Sequence, residues 1–187
     1  MTRTIIGLSG NLDRPSKTRT LVQTAVATVA SRFEAVGAVF DLADFGPSLG
    51  TARRVGDLEP PARAALDAVL AADALVVASP VYKGSYTGLF KHLIDLLDPQ
   101  ALLGKPVLLA ATGGGDRHAL VIEHQLRPLF GFFEAQTLPT GVYAADRDFA
   151  EGQPASAALH DRLARAVDQF SPFFERRAQP EVFVLSA

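Results

Sequence analysis

The chain alternates short apolar runs with longer stretches whose apolar residues recur at helical spacing, and this alternation limits the folds open to it. The run at residues 74–78 (ALVVA) has no polar member, as expected of a strand covered on both faces of a parallel sheet. Strands joined by crossover helices lie parallel, and right-handed crossovers favour helices on both sides of the sheet. We therefore predict a doubly wound, three-layer α/β sandwich.

The same pattern places the individual elements. Five parallel strands are predicted, at residues 4–9, 36–42, 74–78, 106–111 and 138–143. Helices are predicted at residues 17–35, from 60 or 61 to 71, and at 87–97, 118–135 and 156–177. Residues 44–56 are expected to form a loop, and Pro80 is expected to end the third strand. Because no repeat or linker interrupts the 187 residues, we predict one domain over 1–177 and a tail over 178–187.

Composition excludes several classes of function. The 18 basic and 20 acidic side chains give a net charge of -2 without a run of either sign, which argues against nucleic-acid or membrane partners. There is no cysteine, so a redox reaction needs a bound cofactor. No apolar run has the length of a signal-peptide core or a membrane span, so a cytoplasmic protein is expected. The four histidines form no HExxH pattern, and we predict no metal site.

Three loops should converge at the carboxyl edge of the sheet, where ligands of such folds bind: 10–16, 79–86 and 112–116. The first leads into a helix, whose free amide groups and positive dipole end suit a phosphate. Asn11, Ser16 and Thr18 add polar side chains there. An ordinary helix cap at Ser16 is the alternative explanation.

Other nucleotide sites do not match this loop. The sequence has neither GxxxxGK[ST] nor GxGxxG after the first strand, and Asp13 alone cannot supply the acidic group of a receiver domain.

The second loop, SPVYKGSYTG, offers flat apolar surface from Val81 and Tyr82, although it could be a simple strand-to-helix turn. The third, TGGGDRH, exposes backbone amides or makes a flexible turn. A phosphate site, a planar-ring site and a glycine loop together indicate a pocket for flavin mononucleotide (FMN).

Most of the chain, from GNLDRPSKTRTL through SPVYKGSYTGLFKHLIDLL and ATGGGDRHAL to LRPLFGFFEAQTLPTGVYAAD, resembles the flavodoxin-like NAD(P)H-dependent FMN reductases. It is most similar to reductases that supply reduced FMN to two-component sulfonate or sulfone monooxygenases. The resemblance implies hydride transfer from NADH or NADPH to FMN, a partner monooxygenase and a homotetramer. It implies that the flavin is bound by Ser9, Asn11, Arg14, Ser16, Thr18, Pro80, Val81, Tyr82, Lys83, Gly84, Ser85, Thr112, Gly113 and Gly114.

The chain departs from its relatives at two places. Many of them have arginine at the position of Asp13, and Arg14, Lys17 or Arg19 is expected to compensate. Pro128 lies inside a predicted helix and crowds the carbonyl of His124, so we predict a π-helical bulge there. By resemblance, His124 replaces an interface tyrosine of the related reductases and is our candidate for a residue that promotes flavin release.

These inferences leave alternatives open. A reductase that releases FMNH2 is our first interpretation, and a quinone or azo reductase with firmly bound FMN is the second. A flavodoxin-like electron carrier would need a more acidic docking face than a charge of -2 provides. No residue assigns a preference for NADH or NADPH.

Overall fold

A computed structural model of the protein, described over residues 2–174, contains a parallel sheet in the order β2-β1-β3-β4-β5. A further strand, β6, also pairs with β4, beyond the end of β5. The strands of this sheet are β1 (Thr4–Ser9), β2 (Val36–Asp41), β3 (Ala74–Pro80), β4 (Pro106–Gly113), β5 (Gln136–Thr137) and β6 (Val142–Ala145). The predicted doubly wound α/β sandwich is confirmed.

Helices cover both faces of the sheet. One face carries α1 (Lys17–Phe33), α5 (Ala157–Asp168) and the short α6 (Ser171–Phe174), and the other carries α2 (Pro60–Ala71), α3 (Gly88–Asp95) and α4 (Arg127–Phe132). A small antiparallel hairpin of β7 (Phe149–Ala150) and β8 (Gln153–Pro154) was not predicted. Among residues 2–174, none of the helices has the length and apolar character that crossing a bilayer requires.

Close packing of α1 on the sheet explains a glycine in the middle of β1. A Cβ atom at Gly7 would lie 2.4 Å from Cγ1 of Val22, inside van der Waals contact. Both residues are buried, and Val22 lies on the apolar face of α1. The helix therefore sits directly over β1, and its first turn comes close to the carboxyl end of that strand.

The predicted fifth strand is wrong in its bounds. Instead of one strand over 138–143, the chain pairs with β4 first through β5 and again through β6. Pro139 lies in the gap and has no amide hydrogen to donate to a ladder. After this gap, β6 pairs with β4 as far as Ala145, two residues further than predicted.

Four other predictions needed correction. β3 includes Pro80, which pairs with Thr112 of β4, and β4 continues through Thr112 and Gly113. Residues 44–56 are not a plain loop, since 3-10 turns bury Phe45 and Leu49 there. The last predicted helix is divided into α5 and α6, and its predicted end and the tail at 178–187 lie outside the described residues.

The π-helical bulge is confirmed. Residues Ile122–Leu126 form a π-helical turn in which the amide of Arg127 donates to the carbonyl of Ile122, five residues earlier. Pro128 follows directly, as the second residue of α4. Because a proline cannot donate to the carbonyl of His124, widening the preceding turn relieves the crowding without ending the helix.

Candidate functional site

A cavity of about 400 Å³ opens at the carboxyl edge of the sheet, where β1, β3 and β4 end. This is the switch point in strand order, the usual ligand site of such sheets. All three predicted loops reach it. Its walls are formed by Asn11, Leu12, Asp13, Pro15, Ser16, Lys17, Thr18, Pro80, Val81, Tyr82, Thr112, Gly113, Gly114 and Asp146.

The first wall is the start of α1. Ser16 has an extended backbone, and its side chain accepts a hydrogen bond from the amide of Arg19 at 3.3 Å, so it caps the helix as the alternative explanation supposed. The amides of the first turn have no acceptor inside an α-helix and carry the positive end of its dipole. The hydroxyls of Thr18 and Thr112 lie 2.7 Å apart and join this wall to the end of β4. Polar donors thus line this end of the cavity.

Asn11 shapes the same loop from inside. Its side chain is buried, accepts a hydrogen bond from the hydroxyl of Ser9 at 2.6 Å and donates to the carbonyl of Asp13 at 3.0 Å. It also donates to Oδ2 of Asp41 at 3.2 Å. Because the amide group of Asn11 already has partners on both its oxygen and its nitrogen, its described contacts fix the course of the loop.

Two arginines near this wall are held by carboxylates. Arg14 forms a bidentate ion pair with the fully buried Asp41, with hydrogen bonds of 2.7 and 2.6 Å. It also donates a hydrogen bond to Asp44 at 2.7 Å. Arg19 lies 2.8 Å from Asp41. Burial raises the pKa of Asp41, but hydrogen bonds from Arg14 and Asn11 and the charge of Arg19 outweigh it and lower the pKa below its ordinary value. Arg14 does not line the cavity.

The second wall follows β3. The amide of Val81 donates to the carbonyl of Thr112 at 2.8 Å, which continues the sheet beyond Pro80. Tyr82 and Ser85 then exchange two backbone hydrogen bonds around a tight turn. The side chains of Val81 and Tyr82, with the ring of Pro80, give the cavity an apolar surface on this side.

The corner of that turn lies away from the cavity walls. Lys83 and Gly84 have φ values of 52° and 87°, as both central residues of a type I′ turn do. Neither residue lines the cavity, and Ser85 does not either. The hydroxyl of Ser85 instead donates to Oε1 of Gln125 at 3.1 Å. This bond ties the turn to the π-helical segment.

The third wall is the end of β4. Gly113 and Gly114 present backbone to the cavity, and a Cβ atom at Gly113 would lie 2.4 Å from the hydroxyl oxygen of Tyr143. That hydroxyl donates to the carbonyl of Gly115 at 2.6 Å. Burial, together with the charges of Asp116 and Asp146, raises the pKa of Tyr143. The absent side chain of Gly113 therefore lets Tyr143 support the glycine loop from behind.

Sequence reasoning missed one part of the cavity. Asp146 lines it and lies 2.8 Å from the ammonium group of Lys17, which also lines the cavity. Asp146 directly follows β6, so the rule that ligands bind at strand ends would have included it had the fifth strand been predicted to reach Ala145. Lys17 was considered only as a substitute for a missing arginine.

His124 lies apart from the cavity. Its side chain is exposed on the π-helical turn. The residue of this turn that contacts Ser85, a predicted flavin-binding residue, is Gln125. The apolar groove beside this helix is lined by residues of α3 and α4 and includes Phe132, which is 68% exposed. A role for His124 in flavin release remains a prediction.

The chemistry of the walls fits FMN. Amides and hydroxyls at the start of α1 suit a phosphate, and the apolar surface at Pro80, Val81 and Tyr82 suits a planar ring. The backbone at Gly113 and Gly114 carries amides and carbonyls that can meet polar ring edges. Within residues 2–174, no group of three or more His, Asp or Glu side chains is arranged to hold a metal ion.

Comparison with known proteins gives the same answer. The sequence is 47% identical over 176 residues to the NADH-dependent FMN reductase SfnF of Pseudomonas fluorescens (strain Pf0-1), with 94% of each chain covered. It is 45% identical over 175 residues to an FMN reductase (NADPH) of Pseudomonas aeruginosa, again with 94% of each chain covered.

A solved structure with the same fold is the apo form of the NADH:FMN oxidoreductase EmoB. It has a TM-score of 0.83 and 32% identity, with 93% of this chain and 91% of that chain covered. The sequence profile of the NADPH-dependent FMN reductases matches residues 3–150, which include every wall of the cavity. The chain belongs to the family of NADPH-dependent FMN reductases.

Proposed function

We propose that the enzyme binds FMN in this cavity as a substrate, reduces it with NADH or NADPH and releases it to a partner monooxygenase of sulfonate or sulfone metabolism. The alternative is a quinone or azo reductase that keeps FMN as a prosthetic group. The observation that supports release of FMN is the weak positive charge near the start of α1, where the phosphate is expected to bind. Arg14 and Arg19 are paired with Asp41 and Asp44, and Lys17 is paired with Asp146.

Each wall of the cavity contacts a different part of FMN in this proposal. The amides at the start of α1, with the hydroxyls of Ser16 and Thr18, hold the phosphate. Pro80, Val81 and Tyr82 lie along one side of the ring, and Thr112, Gly113 and Gly114 along the other. Bound FMN supplies the hydride chemistry, so the protein needs no nucleophile or acid–base pair in the cavity.

The remaining predicted residues support the site from outside the cavity. Ser9 and Asn11 hold the phosphate loop in place, and Arg14 anchors it to Asp41. Lys83 and Gly84 form the turn that presents Tyr82, and Ser85 links this turn to Gln125. Such a site accelerates hydride transfer mainly by aligning the nicotinamide and flavin rings, and this alignment depends on these anchoring residues.

Names of relatives support release of the flavin. Four of the relatives, each at least 43% identical, are called FMN reductases, which makes FMN the compound reduced. A more distant relative, 30% identical over 147 residues, is an FMN-dependent NADPH-azoreductase of Staphylococcus aureus, whose name makes FMN a cofactor. The greater similarity lies with the first group.

Assembly and location are also proposed by resemblance. We expect a cytoplasmic homotetramer in which His124 lies at an interface near the flavin. Replacing His124 with alanine should increase the FMN retained after desalting. The matched control is His160→Ala, because His160 is an exposed histidine on α5 that does not line the cavity. Equal flavin content in both variants and the wild type would remove His124 from the account.

The test of the proposed function is the rate of NADH and NADPH oxidation by desalted protein as FMN is added from zero. We expect no flavin absorbance after desalting, no rate without FMN and saturation as FMN rises. Protein that stays yellow, and that oxidises the nucleotide only when a quinone or azo dye is present, would establish the alternative.

A further inference from the structure

One ion pair lies between two residues that line the cavity. Lys17 is the first residue of α1, and Asp146 follows β6, yet their charged groups lie 2.8 Å apart. Both residues line the cavity. The ammonium group also lies 5.7 Å from the centre of the Phe149 ring, which favours this position for a cation. The pair thus sets the charge at the end of the cavity where a phosphate is expected.

Stability of the fold does not explain this pair. The side chains of Lys17 and Asp146 are 43% and 63% exposed, and ion pairs exposed to this degree contribute little to folding. The neighbours of Asp146 have the structural contacts: Asp148 accepts a hydrogen bond from the amide of Ala145 at 2.8 Å, and Arg147 pairs with Asp116 at 2.7 Å. Asp146 can lose its partner without disturbing either.

We infer that Asp146 competes with the flavin phosphate for Lys17 and thereby weakens the hold of the enzyme on FMN. This inference rests on the proposed function and names a specificity residue for it. When a phosphate group enters, it shares the charge of Lys17 with Asp146, and the carboxylate then faces a second anion. Both effects shift the balance toward free flavin. They act only on a flavin that carries a phosphate.

Riboflavin, which has the same ring and no phosphate, makes the inference testable. The dissociation constants of FMN and riboflavin are measured by quenching of flavin fluorescence for the wild type and Asp146→Asn. The asparagine keeps the size of the side chain and removes its charge. We expect FMN to bind about two- to fivefold more tightly to the variant, the range that an exposed ion pair allows. The affinity for riboflavin should not change.

Two further variants separate this effect from general changes in charge. Asp67→Asn removes a carboxylate on α2 that is 59% exposed and does not line the cavity, and it should leave both dissociation constants unchanged. In a Lys17→Met background, Asp146→Asn should lose the part of its effect on FMN that comes from competition for Lys17, so the gain should be smaller than in the wild type. The gain should also shrink as salt is raised, because the charges are exposed.

The outcomes distinguish this inference from the proposed function. If the wild type releases FMN on desalting but Asp146→Asn binds it no more tightly, the inference is wrong and the proposed function stands. Equal tightening of FMN and riboflavin, or an undiminished effect in the Lys17→Met background, also overturns it. If the wild type retains FMN through desalting, the proposed function itself has failed.

Discussion

Asp41 anchors the loop that forms the phosphate end of the cavity, and its replacement by asparagine should be costly. Its side chain is fully buried at the end of β2 and accepts hydrogen bonds from Arg14, Asn11 and the amide of Ala43. Asp41→Asn keeps the shape but turns an amide group toward these donors. The two arginines then lose their buried partner.

The expected loss of stability depends on how well water can hydrate Arg14 and Arg19 once the carboxylate of Asp41 is replaced. Removing one member of a buried ion pair costs about 3–5 kcal/mol when both groups are buried. Arg14 is 45% exposed and Arg19 21% exposed, so both can be partly rehydrated. We therefore expect the free energy of unfolding to fall by about 2–4 kcal/mol. The matched control is Asp44→Asn, which removes a partner of the same arginines that is 29% exposed and should cost at most about 1 kcal/mol.

The assay is urea unfolding followed by circular dichroism at pH 7, at one protein concentration for all variants. The reasoning is refuted if Asp41→Asn lowers the stability no more than Asp44→Asn. Dissociation constants for FMN measured alongside should be higher for Asp41→Asn, because the loop loses its anchor.

The pH dependence gives an independent check on the same carboxylate. The folded pKa of Asp41 lies below its ordinary value, whereas the unfolded chain titrates near about 3.9. Its stabilisation is therefore present above the unfolded pKa and lost as the pH falls through the folded pKa. The difference in stability between wild type and Asp41→Asn should be constant near neutrality and shrink below about pH 4. A difference that grows in acid would contradict this account.

Three other substitutions give measurable outcomes. Gly113→Ala places a Cβ atom 2.4 Å from the Tyr143 hydroxyl, so it should cost about 1–3 kcal/mol in urea unfolding and raise the dissociation constant of FMN. Gly84→Ala meets no atom within 4 Å, so the strain of its φ of 87° alone should cost about 1–2 kcal/mol in the same assay. Thr112→Val removes the hydrogen bond to Thr18 and should weaken FMN binding, measured by fluorescence quenching, whereas Thr28→Val on the outer part of α1 should not.

The strands and their loops could be predicted because their signals are local. An unbroken apolar run marks a buried strand, and glycine, proline and hydroxyl residues mark the loops that follow. Pro128 similarly indicates the π-helical turn, because a helix can accommodate an internal proline in only a few ways. Pro139 is a local signal of the same kind, because it lies in the gap between β5 and β6.

The partners of Arg14 and Lys17 could not be predicted, because they lie in distant segments of the chain. Arg14 was expected to compensate for a missing arginine, yet its guanidinium lies on Asp41 and Asp44, which are 27 and 30 residues away. The contact of Lys17 with Asp146 joins residues 129 positions apart. Helical i,i+4 spacing indicates local pairs such as Arg63 with Asp67, but no such pattern links Arg14 or Lys17 to its partner.

A crystal structure of the protein soaked with FMN tests the central claim most directly. We predict that the phosphate lies at the start of α1, within hydrogen-bonding distance of Ser16 and Thr18. The ring should lie between the apolar wall at Pro80–Tyr82 and the backbone at Gly113 and Gly114. A flavin bound elsewhere, or bound here with its phosphate against the Tyr82 turn, would contradict the account.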